Sequence, residues 1–184
     1  MATGNFQTSV EIGDKGEVVI ENLMRKQGLN FTRTENFKYA QMGLDFEADY
    51  YIKDENRFIE AKSLAGHCPT FCIEKYKNKE NPYWNPQKGR YMGLDNQNDV
   101  VYPGWIRTVL AGQNLQIYIE NRKEQTVYIY NAESLYKYVL NYPDGALSVA
   151  RDGNTEDSGW LATVDWCCKE AGFISCHKYN KRSA

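Results

Sequence analysis

The stretch DYYIKDENRFIEAK, residues 49–62, carries three residues whose types and spacing suit hydrolytic chemistry: Asp49, Glu60 and Lys62. Two carboxylates make a hard oxygen site of the kind that binds Mg²⁺ or Mn²⁺. A lysine beside them can orient a water molecule, lower the pKa of that water, or offset charge that builds on a phosphate in the transition state. The alternative interpretation is a surface hairpin with a cross-strand ion pair, and such pairs are common and weak.

A β-hairpin is the element that would bring these residues together. Residues 45–53 and 57–63 are apolar, aromatic-rich runs, and KDEN between them supplies turn chemistry. Folding the chain at this turn places Asp49 opposite Lys62. Glu60 lies two residues from Lys62, so both side chains point to the same face of the strand. The apolar residues before Glu60 favour a site at the edge of a buried region over a flat surface.

Helices and further strands surround this hairpin in the sequence. Apolar spacing, glycine stops and alternation predict helices over 14–27, 105–112 and 132–142, strands over 29–35 and 70–76, a second hairpin over 115–121 and 126–131, and a helix around 163–172. Strands in immediate succession after an opening helix predict an α+β or α/β arrangement. Because the 184 residues show no repeat and no clear linker, we expect one domain.

The hairpin residues resemble the signature of the PD-(D/E)XK nuclease superfamily. That signature is an Asp, a gap of about ten residues, and then Glu-x-Lys on the next strand. Here Asp49 and the EAK tripeptide at 60–62 supply it. Ala48 stands where the signature has proline.

A glutamate on the opening helix adds to the resemblance. Superfamily members commonly carry one that reaches the metal site. In phage and archaeal Holliday junction resolvases of the superfamily it precedes a glycine at the helix end by eleven residues, the separation of Glu17 from Gly28 here. The order of the predicted elements is similar to the superfamily core. The later pattern of FCIEKY, PGW and a tyrosine-rich hairpin and helix resembles some phage-type members, so the resemblance covers about residues 12–140.

The resemblance implies a fold. We expect an α/β protein with a restriction-endonuclease-like core, in which a central mixed β-sheet is flanked by helices in the order αβββαβ. A single nuclease-like domain would span residues 1–184, with a C-terminal extension over 143–184. For this extension three interpretations stay open: Trp160, Trp166 and the basic end could extend a DNA surface, pack the core or mediate a dimer.

The resemblance also implies roles for the hairpin residues. Asp49 and Glu60 would ligate Mg²⁺ or Mn²⁺, and the Ala61 carbonyl could add an oxygen. Lys62 would assist the attacking water. Glu17 would bind a metal directly or through water.

Two further acids are accessory candidates. Asp45 lies four residues before Asp49 and points to the same face by strand alternation, so it is the rival for the strand acid. Glu74 lies on the predicted third strand, where the alternative role is that of a partner for a nearby lysine.

A candidate nucleic-acid surface follows the third strand, in an irregular stretch over residues 77–104. Basic and aromatic side chains alternate there as a nucleic-acid backbone and exposed bases require, whereas the alternative is a solvated loop whose aromatics fold onto the core. The residues assigned to this surface are Lys75, Lys77, Lys79, Lys88, Arg90, Tyr83 and Trp84. The net charge of −2 and the pI near 5.8 exclude binding by bulk positive charge, so a local patch or a metal ion is needed.

Five cysteines, an odd count, argue against a disulfide framework. Their spacing fits no compact zinc knuckle, which leaves a zinc-stabilised interaction module as a minor alternative. Buried free thiols are the prediction.

The leading functional hypothesis is a metal-dependent endodeoxyribonuclease with DNA as its partner and RNA as the other candidate substrate. Junction resolvase, nicking or repair endonuclease and exonuclease all fit, and a homodimer is an option. The alternative is a catalytically silent nuclease-like binding protein, such as a phage anti-defence or regulatory factor. No apolar run approaches the length of a membrane span, so we expect a cytoplasmic protein, in the host cytoplasm if a phage encodes it.

Overall fold

Three β-sheets and three α-helices make up the part of the chain that the computed structural model describes, residues 6–34, 48–64, 69–78, 84–85, 90–91, 100–150 and 159–180. The helices are α1 (Phe6–Lys26), α2 (Gly104–Leu110) and α3 (Ala132–Leu140). The strands are β1 (Phe31–Arg33), β2 (Tyr50–Ile52), β3 (Arg57–Leu64), β4 (Thr70–Asn78), β5 (Trp84–Asn85), β6 (Arg90–Tyr91), β7 (Val100–Val101), β8 (Leu115–Asn121), β9 (Thr126–Asn131), β10 (Ser148–Ala150), β11 (Gly159–Asp165) and β12 (Phe173–Lys178).

The main sheet has the strand order β1-β2-β3-β8-β9-β12 and is mixed, because β3 and β8 run parallel while the other pairs run antiparallel. Its two faces carry different cores. Alternation along β8 sends Tyr118 to the core that α1 covers, and Ile117 and Ile119 to the core that contains residues of α2 and α3. The predicted α/β class, a mixed central sheet flanked by helices, is confirmed.

Helix α1 packs an apolar stripe on the first of these faces. Val19, Ile20 and Met24 are buried there at helical spacing, against strand residues that include Tyr50 and Ile59. The helix ends where Gly28 adopts a φ of +73°, a left-handed conformation that glycine tolerates without strain. Position 28 is therefore the stop that the sequence predicted.

The β2–β3 hairpin forms with a register two residues from the predicted one. Its turn is a 3₁₀ turn over Lys53–Glu55, closed by Asn56 in the left-handed region with a φ of 45°. Tyr50 pairs with Ile59, so continuing the register brings Asp49 level with Glu60 rather than with Lys62. A shift of two residues leaves every side chain on the same face of the sheet. Asp49, Glu60 and Lys62 are therefore still expected on one face.

Strand β4 does not extend the main sheet. It belongs to a second sheet with the order β10-β11-β4-β7. The helix predicted around residues 163–172 is wrong: β11 pairs along β4, with Ala162 and Val164 buried and Thr163 between them half-buried on the other face. This two-residue period belongs to a strand. The chain then turns through left-handed Cys167 and Gly172.

The C-terminal segment packs the core. Trp160 is buried, and the ring centroid of Trp166 lies 4.4 Å from that of Tyr128 and 4.9 Å from that of Phe71. Strand β12 pairs with β9 at the end of the main sheet. Among the described helices, none combines the length and the apolar character needed to cross a membrane.

The close approach of α1 to the sheet gives the first prediction. A Cβ at Gly16 would clash with Ser63 Oγ and would lie 2.5 Å from Ser63 Cβ, whereas a Cβ at Gly13 would meet nothing within 4 Å. Alanine is the better helix former, so Gly13→Ala is expected to raise the free energy of unfolding by about 0.5–1 kcal/mol. Gly16→Ala is expected to lower it by about 1–3 kcal/mol because overpacking outweighs the propensity gain. Urea denaturation of both variants measures the difference, and equal gains would contradict the close approach.

Candidate active site

Asp49 is fixed at the start of β2 by three hydrogen bonds. Its backbone N–H donates to Ile59 O at 2.9 Å, and its carbonyl accepts from Thr34 N at 2.9 Å. The carboxylate Oδ2 accepts from Ala61 N at 2.7 Å. Asp49 therefore extends the contact between β2 and β3 by one residue before β2 begins. Both its main chain and its carboxylate are hydrogen-bonded to β3, so the position of the residue relative to β3 is fixed.

Glu60 and Lys62 form an ion pair on one face of β3. Lys62 Nζ lies 3.2 Å from Glu60 Oε1, and the two side chains are 29% and 16% exposed. Burial acts to lower the pKa of Lys62, but the charges of Glu60, then Glu74, and then Asp49 raise it above its ordinary value overall. Lys62 is therefore a cation at neutral pH, with three carboxylates in its electrostatic range.

Glu17 reaches the same neighbourhood from α1. Partial burial raises the pKa of its carboxyl, the charge of Asp49 raises it further, and Arg33 acts in the opposite direction. Arg33 Nη1 lies 3.1 Å from Glu17 Oε2. The helix glutamate and the strand aspartate are thus close enough to repel each other, and a guanidinium from β1 offsets part of this repulsion.

Glu21 is a residue of this region that sequence reasoning left unassigned. Its side chain is 9% exposed, and Oε1 accepts from Arg33 Nε at 2.7 Å and from Tyr50 OH at 3.3 Å. Oε2 accepts from Arg25 Nη2 at 2.7 Å. The available signal was the spacing of four from Glu17, which places both carboxylates on one flank of the helix. Arg33, the partner they share, is distant in sequence.

The donor set fits a hydrated divalent cation. Asp49 and Glu60 offer carboxylate oxygens, the ligands of Mg²⁺, which is usually held by one or two carboxylates together with water and substrate phosphates. Within the described residues, no group of three or more His, Cys, Asp and Glu side chains is arranged to hold a metal. Asp49 and Glu60 supply the one or two carboxylates that a Mg²⁺ ion usually takes from a protein. Ala61 lies between Glu60 and Lys62 and packs against the core under α1.

Glu74 lies on β4 opposite Leu161 of β11, in the second sheet, and still acts on the pKa of Lys62. Its interpretation as the partner of a lysine is therefore compatible with the structure. The rival strand acid, Asp45, lies outside the described residues.

The residues assigned to a nucleic-acid surface do not share one environment. Lys79, Tyr83 and Lys88 lie outside the described residues. Lys77 pairs with Val101 and Gly159 in the second sheet. Trp84 and Arg90 lie in the two-stranded sheet formed by β5 and β6.

Lys75 is buried and does not belong to a nucleic-acid surface in this structure. The residue is 4% exposed, and Nζ donates to Leu140 O at 3.2 Å and to Tyr142 O at 2.9 Å. Leu140 is the last residue of α3 and Tyr142 lies just beyond the helix end, where carbonyls lack helical partners. The ammonium group caps the helix end, and this contact corrects the role assigned to Lys75 from the sequence.

The thiols are free but mostly not buried. Cys72, Cys167 and Cys176 are exposed and Cys168 is half-buried, while Cys68 lies outside the described residues. The prediction of buried thiols is wrong for the exposed three, because Cys72 and Cys176 take outward positions on their strands and Cys167 lies in a turn.

No protein-family model, curated protein or solved structure matches this chain.

The raised pKa of Glu17 gives a pH-dependent prediction. A carboxyl whose folded pKa is raised stabilises the fold below its unfolded pKa and loses this contribution as the pH rises through the folded pKa. Wild type is therefore expected to lose more stability than Glu17→Gln between about pH 4 and about pH 7. Thermal unfolding of both proteins at the two pH values measures this. Glu133→Gln is the control, because the hydrogen bond from Lys137 lowers the pKa of Glu133. The contribution of Glu133 to stability should therefore rise, and not fall, with increasing pH. Identical pH dependence of wild type and Glu17→Gln would contradict the burial of this carboxyl.

The buried cap of α3 gives a further prediction. Lys75→Met keeps the apolar stem but leaves the two carbonyls without their donor, so the free energy of unfolding is expected to fall by about 1–3 kcal/mol. Lys137→Met is the matched control, because Lys137 forms an exposed helical ion pair with Glu133, a kind of pair that contributes little to stability. Denaturant unfolding gives both values. If Lys75→Met is as stable as wild type but binds DNA more weakly, the capping role is wrong and the role of Lys75 in binding nucleic acid is supported.

Proposed function

We propose that this protein is a metal-dependent nuclease that hydrolyses phosphodiester bonds of DNA with a water molecule activated at a Mg²⁺ or Mn²⁺ site. The observation that carries the proposal is the grouping of Asp49, Glu60 and Lys62 across the β2–β3 hairpin, with Glu17 acting on Asp49 from α1. Asp49, Glu60 and Lys62 match the PD-(D/E)XK signature, and Glu17 matches the glutamate that superfamily members commonly carry on the opening helix. They are joined electrostatically in the folded chain.

The topology around these residues supports the proposal. Helix α1 is followed by the antiparallel strands β1, β2 and β3, and β8 then pairs parallel to β3 after the chain has passed through α2. Under the proposal, this order would be the αβββαβ arrangement of a restriction-endonuclease-like core. On this assignment, β4 to β7 are an insertion between the third core strand and the second core helix.

The residues of the site would divide the chemistry between them. Asp49 and Glu60 would hold the metal ion, which when bound supplies Lewis-acid polarisation and lowers the pKa of a coordinated water. Lys62 is protonated at neutral pH, so its ammonium would offset charge developing on the phosphate and orient the nucleophilic water as a hydrogen-bond donor. It would not serve as the proton acceptor in this state.

Glu17 and Arg33 would complete the site. Glu17 would bind the metal directly or through a water, and its approach to Asp49 concentrates negative charge where a divalent cation is needed. Arg33 would hold the Glu17 carboxylate in position through their ion pair. The Asp49 carboxylate is oriented by Ala61 N–H, so the β3 main chain would help to set the position of the metal ligand.

Isosteric variants test the proposal. Wild type is expected to cleave DNA with Mg²⁺ or Mn²⁺ and not in EDTA. Asp49→Asn keeps an oxygen that accepts from Ala61 N–H but loses the charge, and Glu60→Gln and Lys62→Met likewise keep size. Each is expected to lower the rate by at least about 100-fold without loss of folding. Lys137→Met, remote from the site, is the control. Gel assays on single-stranded, duplex, flap and four-way-junction DNA, and on RNA, measure cleavage.

The outcomes separate the hypotheses. Full activity of Lys62→Met would contradict the role given to Lys62. If no nucleic acid is cut with any divalent metal, the nuclease proposal is wrong, and the alternative of a catalytically silent binding protein takes its place. Preferential cleavage of RNA would show that the substrate is RNA and not DNA, whereas the proposed mechanism would stay the same.

A further inference from the structure

Two exposed cysteines converge on Tyr128, near the edge of the main sheet. Cys176 of β12 pairs with Tyr128 of β9, and residues that pair across antiparallel strands point to the same face. Cys167 directly follows Trp166, whose ring centroid lies 4.4 Å from that of Tyr128. Both thiols are free and exposed. The register of β12 and the contact of Trp166 therefore bring the two cysteines to one aromatic ring.

The charges around Tyr128 also link the two thiols. Partial desolvation raises the pKa of the Cys167 thiol, and the charges of Cys176 and then Glu124 raise it further. Burial and a hydrogen bond to Glu124 Oε2 at 2.6 Å raise the pKa of Tyr128, and the charges of Cys167 and Cys176 add to this rise. Thiolates at these two positions would repel each other, and a bond between the sulfurs removes both ionisable groups.

The backbone of Cys167 is unusual as well. Its φ of 61° lies in the left-handed region, which is unfavourable for a residue other than glycine. Such conformations persist where the surrounding structure holds them, and they are common at functional sites. Hydrogen bonds on both sides of the turn hold this one, from Cys168 N to Asp165 O at 3.2 Å and from Phe173 N to Cys168 O at 3.1 Å. The turn therefore presents Cys167 beside the sheet in a fixed conformation.

Two other described cysteines have different surroundings. Cys168 is half-buried, and its thiol donates to Glu170 Oε2 at 3.4 Å. Cys72 lies on β4 of the second sheet, with its sulfur 3.9 Å from Thr163 Oγ1 of β11. Cys72 therefore supplies a matched control, because it is an exposed thiol in a different sheet.

We propose that Cys167 and Cys176 form a reversible disulfide when the protein meets hydrogen peroxide. The thiolate of one cysteine attacks the O–O bond, which leaves a sulfenic acid on that cysteine and releases the other oxygen as water. The second thiol then attacks the sulfenic sulfur, so that the S–S bond forms and a second water leaves. The two sulfurs lose two electrons, which the peroxide accepts. A dithiol reductant reverses the bond by thiol–disulfide exchange.

The bond would fasten β12 to the turn that precedes it. Strand β11 before this turn belongs to the second sheet, whereas β12 is the end strand in the order of the main sheet. Closing a loop of about ten residues restricts the unfolded chain, so oxidation is expected to raise Tm by about 3–8 °C. None of the residues assigned to the nuclease site takes part in this chemistry.

Peptide mapping of the purified protein tests the bond. The reduced protein is freed of reductant, treated with hydrogen peroxide, alkylated and digested with trypsin under non-reducing conditions. Cleavage after Lys169 separates the peptide that contains Cys167 and Cys168 from the peptide that contains Cys176. Wild type is expected to give these two peptides linked to each other, and dithiothreitol should release them.

Variants identify the partners. The linked peptides are expected to disappear in Cys176→Ser and Cys167→Gly, and to persist in Cys168→Ser and in the control Cys72→Ser. Glycine is chosen at position 167 because it tolerates the left-handed conformation. Thermal unfolding of the reduced variants checks that each is folded. If Cys167→Gly unfolds, Cys176→Ser and Cys168→Ser carry the test, because they separate the same two assignments.

Three results would overturn the proposal: no linked peptides in wild type, loss of the link in Cys168→Ser with wild-type yield in Cys167→Gly, or a link found only in covalent dimers on non-reducing gels. The second result would assign the bond to Cys168. A link without any rise in Tm would contradict the fastening of β12. These measurements need no nucleic acid and no divalent metal, so their outcome is independent of the nuclease proposal.

Discussion

The buried carboxylate of Glu21 requires a cation, and Arg33 supplies it from the strand beside β2. A charge this deeply buried is costly unless it is paired and hydrogen-bonded, and the half-exposed guanidinium of Arg33 supplies both the charge and the hydrogen bonds. Arg33 satisfies Glu21 and reaches Glu17 at the same time, while Tyr50 adds a hydroxyl. The orientation of α1 on the sheet is thereby coupled to the position of β1. The distance of Glu17 from Asp49 depends on that coupling, and with it the geometry of the candidate site.

The candidate site gathers more negative than positive charge. Burial and then the charge of Asp49 raise the pKa of Glu17. The charges of Glu60, Glu74 and Asp49 raise the pKa of Lys62 against the effect of its burial. Such an arrangement contributes little to stability by itself, because like charges held together oppose folding. Cation binding would offset this repulsion, and that is the physical basis of the nuclease proposal.

The sequence predicted the local features of this protein well, because their causes are local. The stop at Gly28 follows from a backbone conformation, and the common face of Glu60 and Lys62 follows from strand alternation, which a register shift of two does not disturb. Other features depend on distant partners. Lys75 donates to the carbonyls of residues 140 and 142, which are so far away in the sequence that no local pattern could have predicted the contact. The segment CCKEA has helical propensity, but pairing of the neighbouring residues with β4 and β9 overrides it. The likeness to a restriction-endonuclease core stays a prediction.

The strand order of the main sheet has a consequence for synthesis. Strand β9 ends at residue 131 and its edge partner β12 begins at residue 173, so about 40 residues must be added before pairing of the edge can begin. At about 5–20 residues per second, β9 waits about 2–8 s on the ribosome with its outer hydrogen-bonding groups unpaired. Its sequence, TVYIYN, is rich in β-branched and aromatic residues, the composition that pairs most readily with another chain. The rate of translation through this interval, and chaperone access to it, should therefore affect how much of the nascent protein escapes aggregation.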